Sequence, residues 1–149
     1  MYVNFDDKSY PKIYVELKGQ LLNNEDYLQI PERWESYYMF PWKEKFTFIF
    51  NLLEYDASFL DIIYATQLVG FINKVKKERL ENSNYDKLEH SIIIVDNTIT
   101  RYLLKIMFSF QLPLAPIYVV EKEEKAEELY NNFINHRPND FTDVSIINI

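Results

Sequence analysis

The sequence predicts an α/β fold, in which a mixed sheet begins with an N-terminal hairpin and carries helices packed on it. Three observations predict this class. After residue 45, short apolar runs alternate with amphipathic stretches in the order strand, helix, strand, helix, strand, helix, which requires right-handed crossovers over a parallel sheet. The length of 149 residues fits one domain. Apolar residues make up 48% of the chain and glycine occurs at only 2 positions, so regular elements occupy most of the length.

The predicted hairpin lies near the N-terminus. Residues 12–18 alternate between apolar and polar side chains, which is the period of a half-buried strand. Gly19 can adopt the positive φ of a turn. We therefore expect residues 20–30 to return as the second strand.

An aromatic segment follows over residues 31–45. Pro31 suits the first turn of a short helix, and Pro41 should stop that helix. The segment contains five bulky aromatic side chains, Trp34, Tyr37, Tyr38, Phe40 and Trp42. They form a lid over the core, an exposed recognition patch, or both.

The middle of the chain predicts a central strand and a long helix. Residues 45–53 are apolar at nearly every position and rich in aromatic side chains, which is typical of a strand covered on both faces. From residue 59 to residue 80, apolar side chains recur at three- and four-residue spacing, which predicts an amphipathic helix. Its buried face is predicted to contain Leu60, Ile63, Tyr64, Leu68, Phe71, Ile72 and Val75.

Two further strand and helix pairs follow. The apolar runs at residues 91–95 and 117–120 predict strands. A helix predicted from residue 98 carries apolar side chains at helical spacing, namely Ile99, Tyr102, Leu103, Ile106, Met107 and Phe110. A last helix is predicted over residues 121–135. Residues 139–149 either add an edge strand or form a tail.

The composition argues against several kinds of site. Cysteine is absent, which removes disulfides, thiolate metal sites and cysteine nucleophiles, and a reducing, cytoplasmic compartment is compatible with this. His90 and His136 lie near no nucleophile motif. With glycine only at Gly19 and Gly70, a phosphate-binding loop cannot form. We therefore expect no catalytic residue, no cofactor and no metal site.

The charge pattern argues against nucleic acid as a partner. The net charge of −7 repels phosphate backbones. The tight basic group lies at the predicted end of a helix, where cations interact favourably with the dipole, and consists of Lys74, Lys76, Lys77 and Arg79. No run approaches the ~18 apolar residues that a membrane span needs, and the N-terminus lacks the apolar core of a signal peptide.

Ser58 is the candidate functional residue. It stands just before the long apolar helix, and Asp61 follows three residues later, which is the spacing of a capping box. A hydroxyl at a helix N-terminus also lies where free N–H groups would stabilise a phosphate. Glu54, Asp56 and Asp61 would repel that phosphate. The pattern is therefore compatible with an ordinary cap and with a modification site.

Three segments carry a family resemblance. They are KIYVELKGQLLNNEDY (residues 12–27), Trp34 with Tyr37 or Tyr38, and KFTFIFNLLEYDAS (residues 45–58). They resemble the SiaC-like regulatory phosphoproteins, which share the wider STAS-like fold with anti-sigma factor antagonists. The resemblance covers about the first 65 residues and implies a single STAS-like domain over residues 1–149.

The resemblance also implies a function. In both groups a serine or threonine at the start of the first long helix is phosphorylated, which switches the binding of a partner protein, and Ser58 falls at that position. The chain would then be a non-enzymatic regulatory domain whose partner is a kinase and phosphatase pair or a regulated enzyme. Beside Ser58, the expected partner-binding residues are Glu54, Tyr55, Asp56, Phe59 and Asp61.

An alternative function comes from the lipid-binding CRAL-TRIO domains, whose order of strands and helices is related. In this interpretation a pocket holds an apolar small molecule or a lipid. The predicted lining is Phe46, Phe48, Phe50, Phe108 and Phe110. Packing in the core is the other role open to these phenylalanines.

Overall fold

The computed structural model describes residues 1–42 and 44–149, apart from the side chain of Phe110. The predicted α/β class is confirmed, because helices pack against a mixed sheet. The six strands of the described residues are β1 (Tyr2–Asp6), β2 (Lys12–Gly19), β3 (Phe46–Tyr55), β4 (Leu88–Ile94), β5 (Ile117–Val120) and β6 (Ser145–Ile147).

In the part of the chain that the structure describes, four α-helices connect or cover these strands. They are α1 (Asn24–Tyr38), α2 (Phe59–Glu78), α3 (Thr98–Phe110) and α4 (Glu123–Ile134). A short 3₁₀ turn at Ser83–Tyr85 lies between α2 and β4.

The strands follow one another across the sheet in sequence order. The pairs from β2 to β5 are parallel, whereas the two edge strands β1 and β6 are antiparallel to their neighbours. In a sheet of this order, right-handed crossovers place the connecting helices α1, α2 and α3 on the same face. The helix α4 packs on the opposite face. We use the term carboxyl edge for the edge of the sheet at which β2, β3, β4 and β5 end.

The main core lies between the sheet and the helices α1 and α2. Phe48 on β3 is completely buried. Its ring packs edge-on against the rings of Trp34 and Phe46, with centroids 5.4 and 5.2 Å away respectively. Tyr37 and Tyr38 are also completely buried. The first half of the aromatic segment thus closes one face of the sheet. A smaller core under α4 contains Ile49, Ile92, Ile94, Val120, Ala126, Leu129 and Tyr130.

The prediction of a strand over residues 20–30 is wrong. The hairpin is formed by β1 and β2 instead, and Gly19, the last residue of β2, has the expected positive φ of 79°. The helix α1 begins at Asn24 because the side chain of Asn23 accepts a hydrogen bond of 2.9 Å from the backbone N–H of Asp26. Pro31 lies inside this helix rather than in its first turn.

The long helix α2 begins and ends near the predicted residues, but its predicted buried face is only partly correct. Phe71, Ile72 and Val75 are buried. In the first half of the helix, Ile63 is 59% exposed and Leu68 is only half-buried. Leu68 lines the cavity beneath α2 that is described below, whereas Ile63 does not line it.

The tail contributes to the sheet. Ser145–Ile147 forms the antiparallel edge strand β6, in which Ile147 pairs with Ile117. Among the residues that the structure describes, no helix has both the length and the apolar character that crossing a membrane demands.

Candidate functional site

The predicted cap is present where β3 ends and α2 begins, at the carboxyl edge. Ser58 is the N-cap of α2 and has an extended backbone. Its Oγ accepts a hydrogen bond of 3.3 Å from the backbone N–H of Leu60, and its own N–H donates to the Oδ2 atom of Asp61 at 2.6 Å. This is a complete capping box, which satisfies N–H groups that would otherwise have no partner in the first turn.

Asp61 accepts a second hydrogen bond, from the hydroxyl of Tyr55 to its Oδ1 atom. Burial raises the pKa of Tyr55 well above its ordinary value of 10.0, and the neighbouring Asp61 carboxylate raises it further. The phenol therefore stays protonated and donates to the carboxylate at any ordinary pH. One carboxylate thus ties the end of β3 to the start of α2.

The residues predicted to bind a partner around Ser58 fall into two groups. Glu54, Asp56 and Phe59 are exposed, and Phe59 is 85% exposed. Tyr55 and Asp61 are partly buried and bond to each other. Ser58 lies between the groups and is half-buried. Only the first group is therefore available to a partner in this conformation.

Phe59 belongs to a larger apolar surface that the sequence did not predict. Exposed apolar side chains crowd the first two turns of the neighbouring helices α2 and α3. We call this surface the apolar patch, and it consists of Phe59, Ile62, Ile63, Ile99 and Tyr102. The fractions exposed range from 42% for Ile62 to 85% for Phe59. Exposed apolar side chains that accumulate in this way on two neighbouring helices are typical of an interaction site.

A cavity lies beneath the apolar patch, between the sheet and the helices α1, α2 and α3. Its upper lobe, nearer the carboxyl edge, has a volume of about 280 Å³, and its lower lobe has a volume of about 200 Å³. The two lobes share lining residues, among them Leu52, Leu68 and Met107. Tyr55 and Asp61 also line both lobes. They are the main polar groups at the junction of the lobes.

The cavity is partly open to solvent. The exposed side chains of Ile62 and Thr66 line its upper lobe, so water can enter the space at that side.

The phenylalanines of the alternative function separate. Phe46 and Phe48 are completely buried in the main core and do not line the cavity. Phe50 and Phe108 line the lower lobe. The side chain of Phe110 lies outside the part of the chain that the structure describes. Most of the lining is aliphatic, and most residues of the upper lobe come from α2 and α3, which periodicity alone would have assigned to a closed core.

The predicted basic group has structural partners. Lys74 forms a salt bridge with Glu35 of α1 at 2.9 Å. The side chains of Lys76 and Arg79 donate to backbone carbonyl oxygens in the segment after α3. Lys76 and Lys77 lie in the last turn of α2, where the sequence placed the basic group.

Other polar groups lie on the face covered by α4. Asn51 donates to the hydroxyl of Tyr14 at 2.9 Å and to the carboxylate of Glu123 at 2.8 Å. His90 stacks on Phe133 with ring centroids 4.4 Å apart, and burial lowers the pKa of His90. Within residues 1–42 and 44–149, no group of three or more acidic or histidine side chains is arranged to hold a metal ion.

The capping box, the apolar patch and the cavity therefore meet at the start of α2. The family resemblance of the first 65 residues stays a prediction. Comparison with family models, with curated proteins and with solved structures finds no match to this chain.

Proposed function

We propose that this chain is a non-enzymatic, cytoplasmic regulatory domain that binds a protein partner at the apolar patch. The single observation that carries the proposal is the exposure of Phe59, which is 85% accessible in the first turn of α2. Burying such a side chain at an interface contributes roughly 1.5–3 kcal/mol. Apolar residues of the neighbouring helix α3 extend the same surface, so that a partner can contact both helices.

The charges around the apolar patch indicate the chemistry of the partner. Glu54, Asp56 and Asp96 are exposed at the carboxyl edge, close to the starts of α2 and α3. Lys18 forms a salt bridge with Glu54 at 3.0 Å, which leaves the other two carboxylates to dominate the rim. A partner with an apolar centre and a basic rim complements this surface. A regulated enzyme or a kinase and phosphatase pair are the partner classes that the STAS-like resemblance suggests.

Phosphorylation of Ser58 would act on this surface through the capping box. A phosphate carries about −1.5 to −2 charges, and Asp61 already occupies the N–H of Ser58 at 2.6 Å. The two anions cannot both bind the first turn of α2 without strong repulsion. We therefore expect the phosphate to displace Asp61 and to take over the cap. An arginine-bearing partner would then bind more tightly, and an acidic one more weakly.

The binding surface can be tested with two matched substitutions. Phe59→Asp places a charge in the centre of the apolar patch. Leu80→Asp makes a comparable change two residues after α2 ends, where Leu80 is 84% exposed. Immobilised wild-type chain should retain a defined partner from an extract of the source cells, and the Leu80→Asp variant should retain it equally. Loss of the partner only in Phe59→Asp supports the proposal, whereas retention by Phe59→Asp or the lack of any partner contradicts it.

The switch needs a separate measurement. The chain is isolated from its own cells, and the mass of the peptide that contains Ser58 is compared before and after phosphatase treatment. We expect a fraction of the chain to lose the mass of one phosphate from Ser58. An unmodified Ser58 under conditions in which the partner is bound would remove the switch and leave the binding surface in place.

A further inference from the structure

We propose that two copies of this chain associate through β1, whose strands pair antiparallel about a two-fold axis at Asn4 and join the two sheets into one. The occupant of this surface is therefore a second copy of the same chain. The proposal does not depend on the apolar patch, because β1 lies at the edge of the sheet beyond β2, whereas the patch lies on α2 and α3.

The free side of β1 carries unpaired backbone groups. β1 is an outer strand of the sheet and pairs with β2 alone. In an antiparallel ladder, alternate residues direct their N–H and C=O groups away from the neighbouring strand. Within residues 1–42 and 44–149, no turn, loop or helix backbone bonds to Tyr2–Asp6 from that side. Such an edge is a template for another strand, and β1 has neither a proline nor a lysine to block it.

A groove of about 440 Å³ lies between β1 and α1, on the helix side of this outer strand. Val3 and Phe5 of β1 line it and stay partly exposed, although they pack against the main core. The lining from α1 consists of Gln29, Glu32, Arg33 and Ser36. A strand added to β1 would bond to the backbone of the edge and place alternate side chains in this groove, which is the arrangement of β-augmentation.

The sequence of β1 is complementary to itself in this arrangement. A register centred on Asn4 pairs all five residues of the strand with a second copy. It places Val3 of one copy opposite Phe5 of the other, on the side of the groove, and such apolar cross-strand pairs stabilise antiparallel sheets. On the opposite face, Tyr2 of one copy lies opposite Asp6 of the other, so no two like charges face each other along the strands.

The charges of the groove also suit a second copy. Glu32 and Arg33 are both exposed on α1, so the groove carries one anion and one cation. A two-fold interface presents the same surface twice, which lets Glu32 of each copy pair with Arg33 of the other. Arg33 already bonds to Asp7 at 3.1 Å, but its guanidinium has five N–H donors and can serve both carboxylates. An occupant that carried charges of one sign only would be repelled by one of these two side chains.

The first measurement is the mass of the purified chain in solution, by sedimentation equilibrium over micromolar to millimolar concentrations. The mass should rise with concentration from 18.0 kDa towards about twice that value. Phe59→Asp disrupts the apolar patch and should dimerise as the wild type does. The test of the partner surface and the test of this proposal can therefore fail separately.

Cysteine cross-linking then locates the axis, because the natural chain has no cysteine. Asn4 is exposed, and in the proposed register its two Cα atoms lie about 4.5–5.5 Å apart, within the reach of a disulfide. Tyr2→Cys is the matched control, since the two Tyr2 positions are separated by about 13 Å along the strands. With oxidised glutathione as the electron acceptor, Asn4→Cys should yield at least about 10-fold more linked dimer than Tyr2→Cys.

A charge exchange at the same position provides an independent test. Asn4→Lys and Asn4→Asp each place two like charges at the axis, so each variant alone should dimerise at least about 10-fold more weakly than the wild type. An equal mixture of the two should form mixed dimers, which native mass spectrometry distinguishes by mass. Ile146→Lys changes the other edge strand at a residue that is 42% exposed, and it should leave dimerisation unchanged.

A concentration-dependent mass, selective cross-linking of Asn4→Cys and mixed dimers of the two charged variants support the proposal. Equal cross-linking of Asn4→Cys and Tyr2→Cys overturns the register. Wild-type dimerisation by folded Asn4→Lys overturns the role of β1. A mass of 18.0 kDa at every concentration overturns the second copy as the occupant, even if β1 then binds an extended peptide of another protein.

Discussion

The hydrogen bond between Tyr55 and Asp61 should contribute measurably to stability, although both residues lie beside a cavity. The perturbation is a double-mutant cycle of Tyr55→Phe and Asp61→Ala. Tyr55→Phe keeps the ring and removes only the hydroxyl that donates to the carboxylate. A hydrogen bond to a charged acceptor is worth about 1.5–3 kcal/mol, so we expect a loss of about 2 kcal/mol in the free energy of unfolding.

The other arms of the cycle follow from the same contacts. Asp61→Ala removes half of the capping box, which costs about 1 kcal/mol, and leaves the buried hydroxyl of Tyr55 without its acceptor, which costs about 2 kcal/mol more. In the double variant no hydroxyl is left without a partner, so its loss should be about 3 kcal/mol rather than the 5 kcal/mol expected for independent sites. The expected coupling energy is thus about 2 kcal/mol.

The assay is urea unfolding followed by tryptophan fluorescence, which the buried Trp34 should report. Tyr102→Phe is the control, because Tyr102 is 63% exposed and the free energy of unfolding of this variant should stay within about 0.5 kcal/mol of the wild-type value.

The raised pKa of Tyr55 predicts a second measurable effect, on the pH dependence of stability. The unfolded chain loses its phenol proton above pH 10.0 while the folded chain keeps it, so wild-type stability should fall with rising pH there by up to about 1.4 kcal/mol per unit more than that of Tyr55→Phe. A coupling energy below about 0.5 kcal/mol would refute the contact.

Three further results are expected from contacts elsewhere in the molecule. Burial lowers the pKa of His90, which stacks on Phe133. Below pH 6.5 the folded chain therefore binds fewer protons than the unfolded chain, and its stability should decrease as the pH falls. His90→Phe should flatten this pH dependence of the free energy of unfolding in urea, and an unchanged slope would contradict the prediction. Lys87 is only 8% exposed, and its ammonium donates to two carbonyl oxygens at the end of α1. Lys87→Met should therefore lower the free energy of unfolding by about 1.5–3 kcal/mol in the same assay. A variant as stable as the wild type would show that these bonds contribute nothing. Gly19→Ala should lower the free energy of unfolding by about 1 kcal/mol because the φ of Gly19 is 79°. Gly70 lies inside α2 with open space around it, so Gly70→Ala should raise the free energy of unfolding by about 0.5–1 kcal/mol. Melting temperatures that shift in the same direction in both variants would contradict these predictions.

The strands of the sheet centre could be predicted because their apolar runs are short and continuous, as in β3 and β4. The start of α2 could be predicted from Ser58 and Asp61, since the capping box is a local device that tertiary contacts need not complete. The start of α1 could not be predicted, because Pro31 fits the first turn of a helix by its chemistry, whereas Asn23 caps the chain two turns earlier. Its position depends on whether Asn23 or Pro31 begins the helix, and spacing alone does not decide between them.

The cavity could not be predicted from the sequence for a different reason. Helical periodicity shows which side of α2 and α3 faces the sheet, but not how far from the sheet the helix lies. Leu68 and Met107 have the spacing of core residues and line the space instead.

The capping box and the cavity share one residue, Asp61. Its carboxylate accepts the N–H of Ser58 and the hydroxyl of Tyr55, and the residue lines both lobes of the cavity. A phosphate on Ser58 that displaced Asp61 would therefore free the hydroxyl of Tyr55 and change the polar surface at the junction of the lobes. Phosphorylation at Ser58 and occupation of the cavity would then influence each other through this one carboxylate.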